Sequence, residues 1–458
     1  MIKKFEINTE ELSKSEKEVL KKLIQAAELI SFLYEEQKNS KYEGSNFYPS
    51  DATKQELEQA AEKDPDILSP YTFVEKDESG KLKAIPFHIK FKNKLESISK
   101  LLEQASELSE DKNLAEYLKS RAKALLTDDY DESNILWLET EKSKIGCVIG
   151  PFDRYLDKLF FKKRAYMAWI GILDEKRTNT AERIKSMALT SERRFLSGAK
   201  KTKIPRTRVR IEHTAIFSGL VADFMFVGNN LPSSADIYLI KEHGTLFTVF
   251  NPSIKLRFEQ WILPVFKNTF DKGIQKKYSE KELFTAFLRS IVLHEACHSI
   301  MRYEDAATRL EEYFPFFDEL YTDILAVKGY ESLFLKDVVT QKELEVFLIV
   351  YICRHLHWLT AVKKQPHTIH YATGGAISLK FLLDAGALRK RLGGRFGAMF
   401  LPDFRKVAIG VDKISSVLEY YLSLGSHEEA KEFIKNYGSF EVFEQFISKL
   451  KDLSEDRK

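Results

Sequence analysis

The sequence is poor in cysteine. Its 458 residues include three, Cys147, Cys297 and Cys353, and no two of them form a C-x-x-C pair. A disulfide framework uses an even number of closely spaced cysteines, so such a framework is excluded as the source of stability. Reduced thiols are typical of the cytoplasm, which is the localisation that the sequence predicts.

Long apolar segments are also lacking. The first 17 residues contain no apolar stretch of the length that a signal peptide needs, and the run over residues 344–353 is too short to span a bilayer. We therefore expect no membrane partner.

Neither sign of charge dominates. The 71 lysine and arginine residues nearly balance 68 aspartate and glutamate residues, which leaves a formal net charge of +3. Such a balance gives no broad basic surface, so we expect no nucleic-acid partner. The basic stretch over residues 200–210 is interpreted as a solvated linker or sheet face.

Apolar residues are plentiful, at 44% of the chain with 12% aromatic, which is enough for globular cores. A chain of this length exceeds a usual single core, so we expect two lobes. Apolar positions recur at helical spacing over residues 14–125 and 279–422. Breaks in the second stretch are predicted at Pro315, Pro366, Gly374–Gly375 and Gly393–Gly394.

The pattern between residues 206 and 250 differs from that of the flanking segments. Alternation over residues 207–213 and the apolar runs 236–240 and 245–250 predict strands, with residues 241–244 as a hairpin link. The sequence therefore predicts an α+β protein that is predominantly helical and contains a small mixed or antiparallel sheet or barrel.

One motif is typical of a catalytic metal site. Ser279 and Glu282 form a plausible capping box, and the helix that follows contains His294-Glu295-Ala296-Cys297-His298. On a helix His298 lies about 40° round from His294, so both imidazoles can bind one Zn²⁺, whereas Glu295 lies about 100° away and can act as general base. Cys297 points elsewhere and is interpreted as a packing residue.

A catalytic zinc needs a third protein ligand. Glu319 is the best candidate, since the loop through Pro315 allows a second helix to return to the histidines, and Asp323 lies one turn further on the same face. Such an aspartate can accept the spare ring N–H of a ligating histidine. Glu311 and Glu312 remain competing ligands.

With these residues in place, the chain resembles the dipeptidyl-peptidase III family of zinc peptidases, and looks closest to the branch fused to Nudix hydrolase domains in plants. The segments that carry the resemblance are residues 12–17, 47–49, 128–135, 148–153, 294–298, 318–323 and 370–377.

The resemblance implies a wide cleft between two lobes and one Zn²⁺ per chain, with His294, His298 and Glu319 as ligands and Glu295 as the catalytic residue. It also implies that His370, with Tyr371 beside it, steadies the reacting carbonyl oxygen. A strand at the cleft edge would bind substrate, and its residues here are Asn229, Asn230, Leu231 and Pro232.

The resemblance also implies a division of the chain. We expect a mixed helical and strand lobe from residues 1–165, 205–255 and 420–458, and a mainly helical zinc lobe from residues 166–204 and 256–419.

The chain departs from the family at two positions. Its histidine motif is one residue shorter than that of well-studied members, and Val148 stands where the peptidases carry a tyrosine. The sequence therefore predicts a zinc hydrolase of short peptides. The alternatives are a protein that binds or senses peptides with little turnover, and a hydrolase of another small amide. Sequence leaves the oligomeric state open.

Overall fold

The computed structural model describes residues 1–39, 44–189, 201–202, 207–233, 236–298, 302–303, 305–362, 368–392 and 398–443. The strands in this part of the chain are β1 (Ile2–Lys4), β2 (Lys38–Asn39), β3 (Gly44–Ser45), β4 (Thr72–Lys76), β5 (Leu82–Pro86), β6 (Ile145–Asp153), β7 (Ala165–Leu173), β8 (Lys201–Thr202), β9 (Thr207–Gly219), β10 (Gly228–Leu231), β11 (Thr245–Phe250), β12 (Arg302–Tyr303), β13 (Leu388–Leu392) and β14 (Ala398–Pro402).

Helices make up most of the described structure. They are α1 (Lys14–Gln37), α2 (Lys54–Lys63), α3 (Phe87–Lys90), α4 (Lys92–Leu108), α5 (Lys112–Leu125), α6 (Asp131–Leu138), α7 (Glu175–Leu189), α8 (Leu220–Phe224), α9 (Ile237–His243), α10 (Asn251–Arg257), α11 (Leu263–Thr269), α12 (Lys272–Lys277), α13 (Glu280–His298), α14 (Ala306–Leu310), α15 (Phe314–Leu335), α16 (Gln341–Ala361), α17 (Ile369–Asp384), α18 (Phe404–Ser423) and α19 (His427–Tyr437).

The chain divides into two compact units. The first comprises Met1–Thr178 and Arg208–Ser253, and the second comprises Asn179–Thr207 and Ile254–Lys458. The predicted α+β architecture with two lobes, one of which holds the main sheet, is confirmed.

The first unit is built on a six-stranded sheet. Its strands lie in the order β10, β11, β9, β7 and β6, and β1 also pairs with β9. Helix α1 packs against β7 and α4, and α4 packs against α5. Strands β6 and β7 are buried along nearly their whole length, because helices cover the sheet there. Strand β10 lies at one end of this strand order.

The second unit is a helical assembly in which α13 packs against α15 and α16, and α17 packs against α15, α16 and α18. Helix α16 is long and apolar enough to cross a membrane, but 72% of its most apolar window is buried. Burial against neighbouring helices accounts for its composition as a core helix.

The division predicted from the sequence differs from these units at two long segments, besides shifts of two or three residues at the bounds near 205 and 255. Residues 166–178 were assigned to the zinc lobe, but they include most of β7, which pairs with β6 and β9 in the main sheet. Residues 420–458 were assigned to the strand lobe, but α19 packs against α17 in the second unit. A strand buried on both faces is a continuous apolar run without alternation, so its pattern does not distinguish it from a buried helix.

Three local predictions are also wrong. Residues 236–240 were predicted as a strand, but Ile237–His243 is helix α9, which ends at Gly244 with φ of 78°. The hairpin of β4 and β5 interrupts the predicted helical stretch over residues 14–125. Gly374 and Gly375 lie inside α17 instead of breaking it.

The two glycines in α17 permit close helix packing. A Cβ at Gly375 would lie 3.0 Å from the carbonyl oxygen of His355 on α16, and a Cβ at Gly374 would lie 3.3 Å from the Cβ of Leu320 on α15. Their role is therefore to let α17 approach its neighbours. The other predicted breaks at Pro366 and Gly393–Gly394 fall outside the described residues.

Candidate metal centre

Helix α13 positions the two histidines of the motif. The backbone N–H of Ser279 donates to Oε2 of Glu282 at 2.9 Å, and the backbone N–H of Glu282 donates to Oγ of Ser279 at 3.3 Å, which is the expected capping box. One turn apart at the other end of this helix, the rings of His294 and His298 have centroids 5.0 Å apart. Both imidazoles therefore point to the same region.

Glu319 on α15 completes the group. Its Oε2 lies 3.2 Å from Nε2 of His294 and 3.8 Å from Nε2 of His298. The ligand atoms of the three residues all lie within 4.8 Å of one another. Although Oε2 of Glu319 is buried, it has no hydrogen-bond partner of acceptable geometry. Two imidazole nitrogens and one carboxylate oxygen are a ligand set that zinc uses, so these residues fit the metal.

The other ring nitrogens of the histidines face carboxylates. Nδ1 of His294 lies 2.8 Å from Oδ1 of Asp323, and Nδ1 of His298 lies 3.3 Å from Oδ2 of Asp318. A carboxylate at Nδ1 favours the tautomer that carries its proton there. In the neutral ring the lone pair then lies on Nε2, the atom that faces Glu319.

Asp323 has a second partner on another helix. Arg354 of α16 donates from Nη1 to Oδ1 of Asp323 at 2.9 Å. Burial alone would raise the pKa of Asp323, but the charges of Arg354 and His294 outweigh burial and hold this pKa well below its ordinary value. Asp323 is therefore an ionised hydrogen-bond acceptor inside the second unit.

The histidines and carboxylates of the site stabilise one another's charged forms. Burial alone would lower the pKa of His294, but Asp323 and Glu319 outweigh it and raise this pKa to about 10. Burial would raise the pKa of Glu319, but the two histidines outweigh it and lower this pKa. Zinc requires neutral imidazole ligands, so metal binding here must release protons.

Glu295 is half-buried on α13 and forms no hydrogen bond or ion pair with the described residues. Its carboxylate is thus not committed to a structural contact within the described part of the chain. A general base needs such freedom to reach a water molecule.

His370 and Tyr371 lie in the first turn of α17, with their ring centroids 4.1 Å apart. Tyr371 stacks on Trp358 at 4.8 Å, and His370 lies 6.5 Å from Phe316. Because Phe316 is one turn before Glu319 on α15, these contacts place the predicted oxyanion donors beside the helix that carries the third ligand.

The predicted substrate strand is part of the first unit. Residues Asn229, Asn230 and Leu231 lie in β10, which pairs with β11, and Pro232 follows it. Oδ1 of Asn230 is buried without a hydrogen-bond partner. Leu231 is buried, so it contributes to the core of the unit.

The competing ligands lie elsewhere. Glu311 and Glu312 form a separate group with His427, and both glutamates are exposed. Cys297 is buried and is not part of either group of possible ligands among the described residues. The structure therefore favours Glu319 as the third ligand.

Sequence reasoning overlooked three contributors to the site. Asp318 adjoins Glu319 and could have been found from its position. Thr322, whose Oγ1 lies 3.2 Å from Nδ1 of His294, and Arg354 on α16 carried no recognisable signal.

Val148, which stands at the departure from the family pattern, is buried in the first unit. Its side chain is 1% exposed inside β6, where it pairs with Trp169.

Comparison with known proteins shows which proteins the chain is similar to. No family model matches the chain. The chain is 23% identical to Nudix hydrolase 3 of Arabidopsis thaliana over 372 residues, which cover 79% of this chain and 46% of that protein. This chain thus spans about half the length of that relative.

Two solved structures share the architecture. DPP III from Caldithrix abyssi superposes with a TM-score of 0.85 at 19% identity and covers 97% of this chain and 94% of its own. Dipeptidyl-peptidase III from Corallococcus sp. strain EGB gives a TM-score of 0.75 at 19% identity, with 99% and 92% covered. The resemblance to dipeptidyl-peptidase III is confirmed at the level of the fold.

Proposed function

We propose that this protein is a zinc-dependent peptidase of short peptides in which Glu295 is the general base. The observation that carries the proposal is the group of His294, His298 and Glu319, in which a buried carboxylate oxygen lacks a hydrogen-bond partner and faces two imidazole nitrogens. The dipeptidyl-peptidase III fold supports the same activity. The three cysteines of the chain are buried and form no disulfide among the described residues, in keeping with a cytoplasmic setting.

His294, His298 and Glu319 would hold the zinc ion, and Asp323 and Asp318 would fix the orientation of the two imidazoles. When bound there, zinc supplies Lewis acidity that polarises a carbonyl group and makes water acidic enough to ionise near neutral pH. Three protein ligands leave a coordination position for the reaction.

Glu295 accepts the proton of the attacking water and returns it to the leaving amine. Its place next to His294 on the same helix keeps it near the reacting group, and its lack of described partners leaves it available. His370 or Tyr371 donates a hydrogen bond to the carbonyl oxygen as negative charge develops there.

Asn229, Asn230, Leu231 and Pro232 would bind the peptide. An extended peptide pairs with the backbone of a strand at the edge of a sheet, and β10 stands at the end of the strand order in its sheet.

The test compares the wild type with Glu295→Gln on a mixed library of short peptides. We expect one zinc ion per chain in both proteins and a loss of cleavage of about 100-fold or more in the variant, the usual effect of removing a general base. Glu280→Gln is the matched control, because Glu280 begins the same helix and forms an exposed ion pair with Lys267 at 2.7 Å.

Two outcomes would contradict the proposal. Zinc binding without cleavage of any peptide would favour a peptide-binding protein if peptides bind tightly, or a hydrolase of another small amide if such compounds are cleaved instead. Equal peptide cleavage by Glu295→Gln and the wild type would exclude Glu295 as the base.

A further inference from the structure

A buried chain of hydrogen bonds crosses three helices of the second unit. His294 on α13 contacts Asp323 on α15 through Nδ1 at 2.8 Å, and Asp323 accepts from Arg354 on α16 at 2.9 Å. The three side chains are 7%, 8% and 8% exposed. Water therefore has little access to any of them.

Both contacts end on one oxygen atom, Oδ1 of Asp323. A guanidinium presents its N–H groups in a rigid planar fork, so the bond from Arg354 restricts rotation of this carboxylate. The orientation of Asp323 in turn determines the direction from which the ring of His294 is held.

The surroundings of Nδ1 identify where His294 carries its proton. The hydroxyl of Thr322 donates to the carbonyl oxygen of Glu319 at 2.7 Å, so its Oγ1, 3.2 Å from Nδ1, acts as an acceptor toward the ring. Asp323 is also an acceptor. Nδ1 thus faces two acceptors and is a donor, so that in the neutral ring, the form that binds a metal, the lone pair lies on Nε2.

His355 does not substitute for Arg354. Its Nε2 lies 3.9 Å from Oδ2 of Asp323, beyond hydrogen-bonding distance, and neither ring nitrogen has a hydrogen-bond partner. Within the described part of the chain, Arg354 is the basic residue that bonds Asp323 directly besides His294 itself.

We infer that Arg354 is a positioning residue for the metal centre, because it fixes Asp323 so that His294 presents Nε2 to a zinc ion. The inference rests on the metal site of the proposed function but not on peptide cleavage. It assigns to α16, which supplies no ligand, a role in metal affinity.

The experiment measures the affinity of the metal-free protein for Zn²⁺ alone, by competition with a chromophoric chelator. Arg354→Met removes the guanidinium and keeps the length of the side chain, and we expect zinc to bind about 10- to 100-fold more weakly, the range for loss of a group that orients a ligand. Asp323→Asn should weaken binding similarly, and the double variant should lose little more than either single variant.

Arg289→Met is the matched control. Arg289 is on the same helix as His294 and donates from Nη1 to Glu343 at 2.9 Å and to the hydroxyl of Tyr330 at 2.6 Å, so its removal breaks a more exposed arginine–carboxylate pair away from the metal site. We expect its zinc affinity to stay within about twofold of the wild type.

A second readout follows the proton on His294. In protein labelled with ¹⁵N-histidine and loaded with zinc, the wild type and Arg289→Met should show Nδ1 of His294 protonated and held by a hydrogen bond. In Arg354→Met the signal of this Nδ1–H proton should broaden, or the proton should exchange faster with water. A general loss of stability would not produce this effect in one variant alone.

Equal zinc affinities for Arg354→Met and Arg289→Met would overturn the inference. If Arg354→Met fails to fold, Arg354→Lys is compared with Arg289→Lys instead. Weaker zinc binding is then expected only in Arg354→Lys, because lysine lacks the planar fork of the guanidinium. A wild type that binds no zinc would instead refute the metal centre of the proposed function.

Discussion

Replacing Glu319 by glutamine should abolish most of the stabilisation that zinc gives to the second unit. The change is nearly isosteric, but it removes the charge of the carboxylate whose Oε2 lies 3.2 Å and 3.8 Å from the two histidines. A neutral amide is a much poorer zinc ligand than a carboxylate, so the site would retain two ligands instead of three.

The magnitude follows from mass action. A ligand present at 100 times its dissociation constant stabilises the native state by about 2.7 kcal/mol, and for domains of about 150–250 residues each kcal/mol raises the Tm by about 2–4 °C. Zinc at that level should therefore raise the Tm of the wild type by about 5–11 °C. If Glu319→Gln weakens binding about 100-fold, the same zinc concentration yields only about 0.4 kcal/mol, or about 1 °C.

Differential scanning calorimetry with zinc and with a chelator measures the zinc-dependent rise in Tm for each protein separately. Any effect of the substitution on the metal-free protein therefore cancels. Glu331→Gln is the control, since Glu331 lies three turns further along α15, where burial and the nearby charge of Asp412 raise its pKa to about 7. The control should keep the full zinc-dependent shift. A full shift in Glu319→Gln would refute Glu319 as a ligand.

Two further predictions concern stability. Gly146→Ala should lower the free energy of unfolding by about 3–5 kcal/mol. The new Cβ would lie 2.3 Å from Oε2 of the fully buried Glu212 and would displace this carboxylate from Arg210. An unchanged urea midpoint would contradict this prediction. Burial lowers the pKa of His355 to about 4, so its neutral form contributes stability that is complete above about pH 6.5 and is lost as the pH falls toward 4. In metal-free protein, the wild type should thus lose about 2 kcal/mol more than His355→Leu between pH 7 and pH 5, and equal urea midpoint changes in the two proteins would disprove it.

Local sequence signals were enough for the helix that carries the motif. The capping box of Ser279 and Glu282 predicted where α13 begins, and both its hydrogen bonds are present. The approach of His294 and His298 follows from the same cause, because residues four apart on a helix lie on one face whatever surrounds it.

Strands were harder to predict. The alternating residues of β9 were recognised, but β6 and β7 were not, since these strands are buried on both faces and their sequences lack the alternation. Short apolar runs have the same ambiguity, which is why α9 was predicted as a strand.

The sequence by itself determined that two imidazoles and a neighbouring carboxylate share one helix, because helical geometry fixes the relative positions of residues a few places apart. Only the tertiary structure shows that Glu319 lies beside the two histidines whereas Glu311 and Glu312 group with His427, and only it brings Arg354 to Asp323. Those contacts depend on how α15 and α16 pack against α13, and packing between distant segments leaves no local periodicity in the chain.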